Sequence, residues 1–167
     1  RPGTSGWTAG VWPPVGLARE LLADGSYWGA FDAADVAGGT PGPEATLLGA
    51  FAVDHDADMG DGSLPGAGSG LGDPDWATLP EHDVASYHLL AVDPAARGRR
   101  VAVALLAAGE RAARGLGARV VRINTSPVNV EACGLYERWG FTRHRPVWLP
   151  YEGLDLPGWT SLWEQEL

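Results

Sequence analysis

Between Ser86 and Phe141 the chain changes its hydrophobic period from one residue class to another and back, which narrows the architecture more than any other feature. Ser86 to Val92 is an apolar run of strand length, rich enough to occupy the middle of a sheet. After Pro94 the period becomes helical. Val101, Leu105, Ala108 and Ala112 recur at i, i+4, i+7 and i+11, and the run ends near Gly115-Leu116-Gly117. Arg119 to Ile123 reads as a strand again, followed by a loop with Pro127. Asn129 then caps a second helix over Val130 to Trp139, which Gly140 stops. Strand, glycine-containing turn, helix and strand in this order predict a βαβ unit in a mixed sheet.

The flanks complete the outline. Pro13-Pro14 followed by Leu17, Leu21 and Leu22 reads as a short helix that stops at Asp24-Gly25. Tyr27 to Phe31 and Thr46 to Val53 read as strands, with residues 33–43 a turn or small insertion between them. Residues 54–80, rich in Gly and Asp, are the least regular stretch, and a loop of that length is usually functional or mobile. Two last strands, about Phe141 to Leu149 and Trp159 to Glu166, flank a turn at Glu152-Gly153. With no internal repeat and no second domain in view, residues 1–167 are expected to form one domain, with 86–141 as its core.

Composition bounds the function. A chain of 167 residues can bury about two-thirds of its unfolded surface. No apolar run approaches the ~18 residues of a membrane span and no signal peptide is visible, so a cytoplasmic location without membrane contact is expected. The single Cys133 and four scattered His exclude a disulfide framework and a zinc knuckle, and no metal is expected. Asp54-x-Asp56-x-Asp58 has the start of a calcium loop, but Met59 stands where that loop needs Gly and Pro65 where it needs Glu. A solvated acidic loop is the better reading. Net charge −9, with 12 Arg, no Lys and 21 acidic residues, argues against nucleic acid as a partner. The charge is also uneven. Residues 1–96 hold 14 acidic side chains and two Arg, whereas residues 97–145 hold ten Arg and three Glu. A basic site for an anion beside an acidic surface that attracts a cation fits this division.

The anion site has a definite place. Leu90-Ala91-Val92-Asp93-Pro94-Ala95-Ala96-Arg97-Gly98-Arg99-Arg100-Val101-Ala102 runs from strand through turn into helix. The first N–H groups of a helix lack intrahelical acceptors, and the helix dipole adds positive potential there. Gly98 allows close approach of the backbone, and three Arg add full charges, so a phosphate or pyrophosphate is the natural ligand. One Gly here does not meet the dinucleotide fingerprint G-x-G-x-x-G. Further on, Asn129, Ala132 and Tyr136 share one helical face. Read alone, Asn129 is a helix cap, Tyr136 a packed aromatic and Cys133 a core residue.

Together these segments resemble the GNAT superfamily of acyl-CoA-dependent N-acetyltransferases. The resemblance rests on Leu89-Leu90-Ala91-Val92-Asp93-Pro94, Arg97-Gly98-Arg99, Ala104-Leu105-Leu106 and Asn129 through Phe141 at the family's separation. It covers residues 86–141, about a third of the chain, and is weaker upstream, where Trp12 and Asp73-Pro74-Asp75-Trp76 are similar to features of some small-molecule branches. It implies an α/β (α+β) fold: a mixed, mostly antiparallel sheet flanked by helices, with a βαβ acyl-CoA-binding core.

The resemblance also implies roles. The strand holding Leu90, Ala91 and Val92 would splay from its neighbour and hydrogen-bond the pantetheine arm of acetyl-CoA. Arg97, Gly98, Arg99, Arg100, Val101 and Ala102 would wrap the pyrophosphate, and Asn129 would lie near the pantetheine. Tyr136 would protonate the departing thiolate, which a well-placed phenol can do, and donors near Val92 would stabilise charge on the thioester oxygen. An alkylamine acceptor must lose a proton before it attacks. His88, just ahead of the CoA-binding stretch, is the first candidate for that base, with Asp83 and Ser126 behind it. Trp7, Trp12, Trp28 and Trp76 fall in the half that shapes the family's acceptor pocket, where a Trp face suits an ammonium group.

Two features depart from the family pattern. Arg100 stands where the second Gly of the phosphate turn belongs, although Ala102 fits the last position. Only about ten residues precede Trp12, where the fold has a strand and a helix; that segment is expected to lie outside this chain or to be degenerate. The expected activity is acetyl transfer from acetyl-CoA to a primary amine of a cationic small molecule such as a polyamine, an amino sugar or an amino-acid derivative. A protein N-terminus or Lys side chain is a second acceptor class, and a homodimer is compatible with either. The alternative is a non-catalytic acyl-CoA-binding or scaffold protein on the same fold.

Overall fold

The structure, a computed structural model, describes residues 15–55, 75–148 and 158–167. In chain order the elements are α1 (Val15–Ala23), β1 (Tyr27–Phe31), the two-residue strands β2 (Val36–Ala37) and β3 (Thr40–Pro41), β4 (Leu47–Asp54), β5 (Val84–Val92), α2 (Val101–Gly115), β6 (Val120–Thr125), α3 (Val130–Trp139), β7 (Thr142–Arg143), β8 (Val147–Trp148) and β9 (Trp159–Glu166). One sheet runs in the order β1-β4-β5-β6-β9-β7, with β8 added to β9. Every neighbouring pair is antiparallel except β5 and β6, which α2 connects as the expected βαβ crossover.

Alternation along the strands separates two faces. Phe51 and Val53 of β4, Ala85 and Tyr87 of β5, Val121 and Ile123 of β6 and Trp163 of β9 form the main core with Leu105, Leu106 and Ala113 of α2 and Tyr136 of α3. The apolar stripe of α2 lies on this face, and its Gly109 is dictated by packing: a Cβ there would stand 2.7 Å from Tyr87 Cζ and 2.9 Å from Phe51 Cε2. Across the sheet, Val147, Leu162 and Trp76 form a smaller cluster.

That second face also holds a buried charge. Arg122, 2% exposed, donates from Nε to Glu164 Oε2 at 2.9 Å and from Nη2 to the Ala77 carbonyl at 2.7 Å. Its guanidinium lies 4.1 Å from the Trp76 ring centroid. Residues 75–77 are thereby fastened to the sheet.

One expected element is divided. The strand expected over Phe141 to Leu149 is two short ones, β7 and β8, because Asp75 draws the intervening chain aside. Its Oδ1 accepts from Arg145 N at 2.9 Å and contacts His144 Nδ1 at 3.1 Å. Trp7, Trp12, Asp56, Asp58, Asp73, Leu149 and the Glu152-Gly153 turn lie outside the described residues.

Candidate active site

The sheet opens at its centre. β5 and β6 pair from Val84↔Val120 to Tyr87↔Ile123 and no further, while β5 continues through Val92 and β6, paired with β9 on its other edge throughout, continues to Thr125. On its other side β5 is bulged: Ala52 pairs His88 and Ala50 pairs Ala91, so Leu89 and Leu90 oppose Phe51 alone. Leu89 takes φ +56°, a left-handed conformation that costs a branched residue about 1–2 kcal/mol and re-aims the strand. Ala91 and Val92 therefore have a ladder partner on one side only, Leu90 sits in the bulge, and all three are half-buried in what is otherwise mid-sheet. This is the splay the sequence resemblance implied.

Beyond Val92 the chain enters the turn that the sequence marks as a candidate anion site. Asp93 N donates to Leu48 O at 2.9 Å, and its carboxylate accepts from Ala95 N at 2.7 Å, setting a 3-10 turn over Pro94–Ala96. Gly98 has φ +79°, and Arg100, the residue that caps α2, has φ +61° with no side-chain cap. The first helical bond is from Ala104 N to Arg100 O at 3.0 Å. The N–H groups of Gly98, Arg100, Val101, Ala102 and Val103 consequently meet no acceptor among the described residues, and a Cβ on Gly98 would meet nothing within 4 Å.

The three Arg of the turn differ. Arg99 Nη2 binds Asp32 Oδ2 at 2.9 Å, which with the Ala34 N–H holds the Asp32 carboxyl below its usual range. Arg97 and Arg100 are exposed and pair with no described residue. Arg100 thus supplies the backbone conformation of the missing Gly while its guanidinium stays in solvent rather than filling the turn.

α3 carries the other expected residues. Asn129 caps it, its Oδ1 accepting from Ala132 N at 3.3 Å and its Nδ2 donating to Thr125 Oγ1 at 3.4 Å. Gly140, at φ +106°, ends the helix and returns Phe141 N to Tyr136 O at 3.0 Å. Tyr136 is 4% exposed, with ring centroids 5.8 Å from Phe141 and 5.9 Å from Trp163. Its hydroxyl has no hydrogen-bond partner among the described residues, and burial, with Cys133 second, pushes the phenol well above its ordinary value. It stays protonated. Trp163 pairs Ile123, which pairs Tyr87, so Tyr136 packs on the last complete rung before the opening.

His88 lies one residue past that rung, on the opposite face from Tyr136. Its Nε2 is 3.0 Å from Asp54 Oδ1 at the end of β4. The two weaker base candidates fare differently. Asp83 stands at the far end of β5, 3.7 Å from both Arg119 Nη1 and His82 Nε2, and so is not beside the opening. Ser126 Oγ, in the β6–α3 loop, is sealed and has no partner among the described residues. Sequence reasoning missed Asp54 as a partner of His88; its place in an acidic run concealed it, and only strand register brings the two together. It also missed the left-handed Leu89, for which no local signal exists. The described residues contain no cluster of three or more metal-ligating groups.

The geometry above agrees with the comparisons. The model of the Acetyltransferase (GNAT) family matches residues 49–141, more than half of the chain. The chain belongs to that family, and its class is that of acetyl-CoA-dependent acyltransferases. No curated protein matches it in sequence. Among solved structures it is similar to the NatC complex bound to Gag peptide and CoA, at 17% identity over 92% of this chain and 79% of that one, with TM-score 0.59. It is similar to nourseothricin acetyltransferase at 21% identity over 75% of this chain and 61% of that one, with TM-score 0.54. It also resembles a candidate streptothricin acetyltransferase of Bacillus anthracis in complex with acetyl coenzyme A, at 18% identity over 74% of this chain and 58% of that one, with TM-score 0.53. The chain thus spans less than two thirds of the last two, and all three likenesses concern the fold.

Proposed function

We propose that the protein, acting as one domain, transfers the acetyl group of acetyl-CoA directly to a primary amine of a small cationic molecule. The observation that carries this reading is the coincidence of two features on one crossover: the opening between β5 and β6, and the turn of unpaired N–H groups at the start of α2. Acetyl-CoA supplies an activated thioester, and the residues present fit it. The one-sided edge of Leu90, Ala91 and Val92 suits the pantetheine arm. The N–H groups of Gly98, Arg100, Val101 and Ala102, with Arg97 and Arg100 in solvent, suit the pyrophosphate, while Arg99 braces the turn through Asp32. Asn129 shapes the α3 side of the opening.

Tyr136 serves as general acid, giving its proton to the thiolate sulfur as the C–S bond breaks; its burial keeps that proton in place at neutral pH. His88 takes the proton that the ammonium group must lose before its nitrogen attacks. The 14 acidic residues of the first 96 favour a cationic acceptor, and the demand for acetyl-CoA favours a cytoplasmic site. The test is thiol release from acetyl-CoA with spermidine, glucosamine and lysine amide as acceptors, followed on the best of them with Tyr136→Phe. The variant is expected to lose about 100-fold in kcat at unchanged acetyl-CoA affinity. Unchanged turnover removes Tyr136 from the mechanism, and no thiol release with any of the amines contradicts the reading as a whole.

A further inference from the structure

His88 is held by a contact from the neighbouring strand. Its Nε2 lies 3.0 Å from Asp54 Oδ1, between two side chains that are each less than a third exposed. Cross-strand neighbours share a face, so register shows how the contact arises. Asp54 pairs Ser86, and His88 follows two residues later on the same face, paired with Ala52. The next residue, Leu89, begins the bulge, which makes His88 the last residue of β5 paired to β4 before the bulge. A carboxylate accepts hydrogen bonds and cannot donate them, so Nε2 carries the hydrogen and Nδ1 is the basic nitrogen.

We propose that Asp54 is the positioning residue of the general base: it fixes the Nε2–H tautomer of His88 and stabilises the imidazolium formed when His88 accepts a proton from the acceptor ammonium. The inference rests on the reading of His88 as base. In the step, an N–H bond of the ammonium breaks, directly or through one water, and an N–H bond forms at Nδ1. The charge that arises on the ring is balanced by the carboxylate already on Nε2, and the freed lone pair attacks the thioester carbon. The sulfur that carried the acetyl group leaves with the proton of Tyr136, the attacking nitrogen gives its second proton back to the Tyr136 phenolate through water, and the imidazolium releases its proton to solvent, so no oxidant, metal or further reactant is needed. Asp54 is the first residue of the acidic run Asp54-x-Asp56-x-Asp58; register gives it a function that the run as a whole did not suggest.

Other charges bear on His88 and must be held constant. Among the described residues, Tyr27 lies in its own row through Ala52, and Arg122 lies in the row of Ser86, with Glu164 beyond it. His55 is at the end of β4, its Nδ1 2.8 Å from Val84 O.

The test compares wild type, Asp54→Asn, His88→Gln and the double variant in the full chain. Two-dimensional 15N–1H correlation of the imidazoles, in the absence of any substrate, is expected to show His88 as the Nε2–H tautomer in wild type. In Asp54→Asn its titration is expected to move to lower pH by about one unit. With acetyl-CoA and the best amine of the panel above, Asp54→Asn is expected to lower kcat/KM about 10-fold and shift its acid limb to lower pH. Asp54→Asn is expected to cost nothing further in the His88→Gln background, because Asp54 acts only through the ring. An unshifted His88 titration, or losses that add in the double variant, overturns the role of Asp54 alone. A His88→Gln enzyme with wild-type kcat/KM overturns the base reading and this inference with it, while leaving Tyr136 and the acetyl-CoA site standing.

Discussion

Arg100 occupies a backbone conformation that glycine adopts without strain, at φ +61°, and that a side chain enters at a cost of about 1–2 kcal/mol. Replacement by Gly relieves this strain but frees the unfolded chain, which takes back about 0.4–1 kcal/mol. Arg100→Gly is therefore expected to stabilise the fold by about 0.5 kcal/mol, seen as a small rise in urea midpoint, whereas Gly98→Ala, at φ +79°, should lower it. Burial raises three phenols, Tyr27 least, and the other two dominate the alkaline limit. Tyr87 and Tyr136 are both raised above the ordinary 10.0, chiefly by burial. Unfolded phenols release their protons near pH 10 while the folded ones hold theirs, so the unfolded state binds fewer protons there. Their contribution is complete below pH 10 and declines as pH rises through the folded values, by up to about 1.4 kcal/mol per pH unit for each. Urea titrations from pH 8 to 11 should be flat and then fall, and Tyr87→Phe should remove about half of this phenolic slope.

At the scale of elements, α2 and β5 are fitted to one another through Gly109. Ala is worth about 1 kcal/mol more than Gly in a helix interior, yet a Cβ at 109 meets the Tyr87 and Phe51 rings below 3.0 Å. Gly109→Ala is expected to destabilise by about 1–3 kcal/mol, the reverse of the propensity ordering, as thermal melting would show. The sequence disclosed such elements where local chemistry and packing agree. α3 carries a capping Asn129 and a terminating Gly140, and its limits were readable to the residue; so were β1 and β9. The turn ahead of α2 was legible too, because Gly98 marks its left-handed backbone. What escaped was set from afar. Asp75 divides β7 from β8 across about 70 residues of sequence, the bulge turns a Leu left-handed with no local cue, and Asp54 meets His88 only because β4 and β5 pair as they do.

For the whole molecule, the arrangement assigns each half a task. The crossover β5-α2-β6 opens the sheet and offers unpaired N–H groups to an anion, and the rung Tyr87-Ile123-Trp163 brings Tyr136 to the edge of that opening. On the other face, Asp54, His88 and the Arg122–Glu164 pair line a polar row beneath the segment that Trp76 anchors. The opening fits the family, and in the proposed mechanism the two faces keep proton donor and proton acceptor apart. All of this depends on the turn at Arg97 to Ala102 receiving a pyrophosphate with Arg100 in place of Gly. The most direct measurement is thermal melting with and without acetyl-CoA. At a hundredfold excess over Kd, stabilisation of about 2.7 kcal/mol is expected, a rise in Tm of roughly 5–10 °C for a chain of this size. An unchanged Tm at millimolar acetyl-CoA would contradict the central claim that this opening and this turn form an acyl-CoA site.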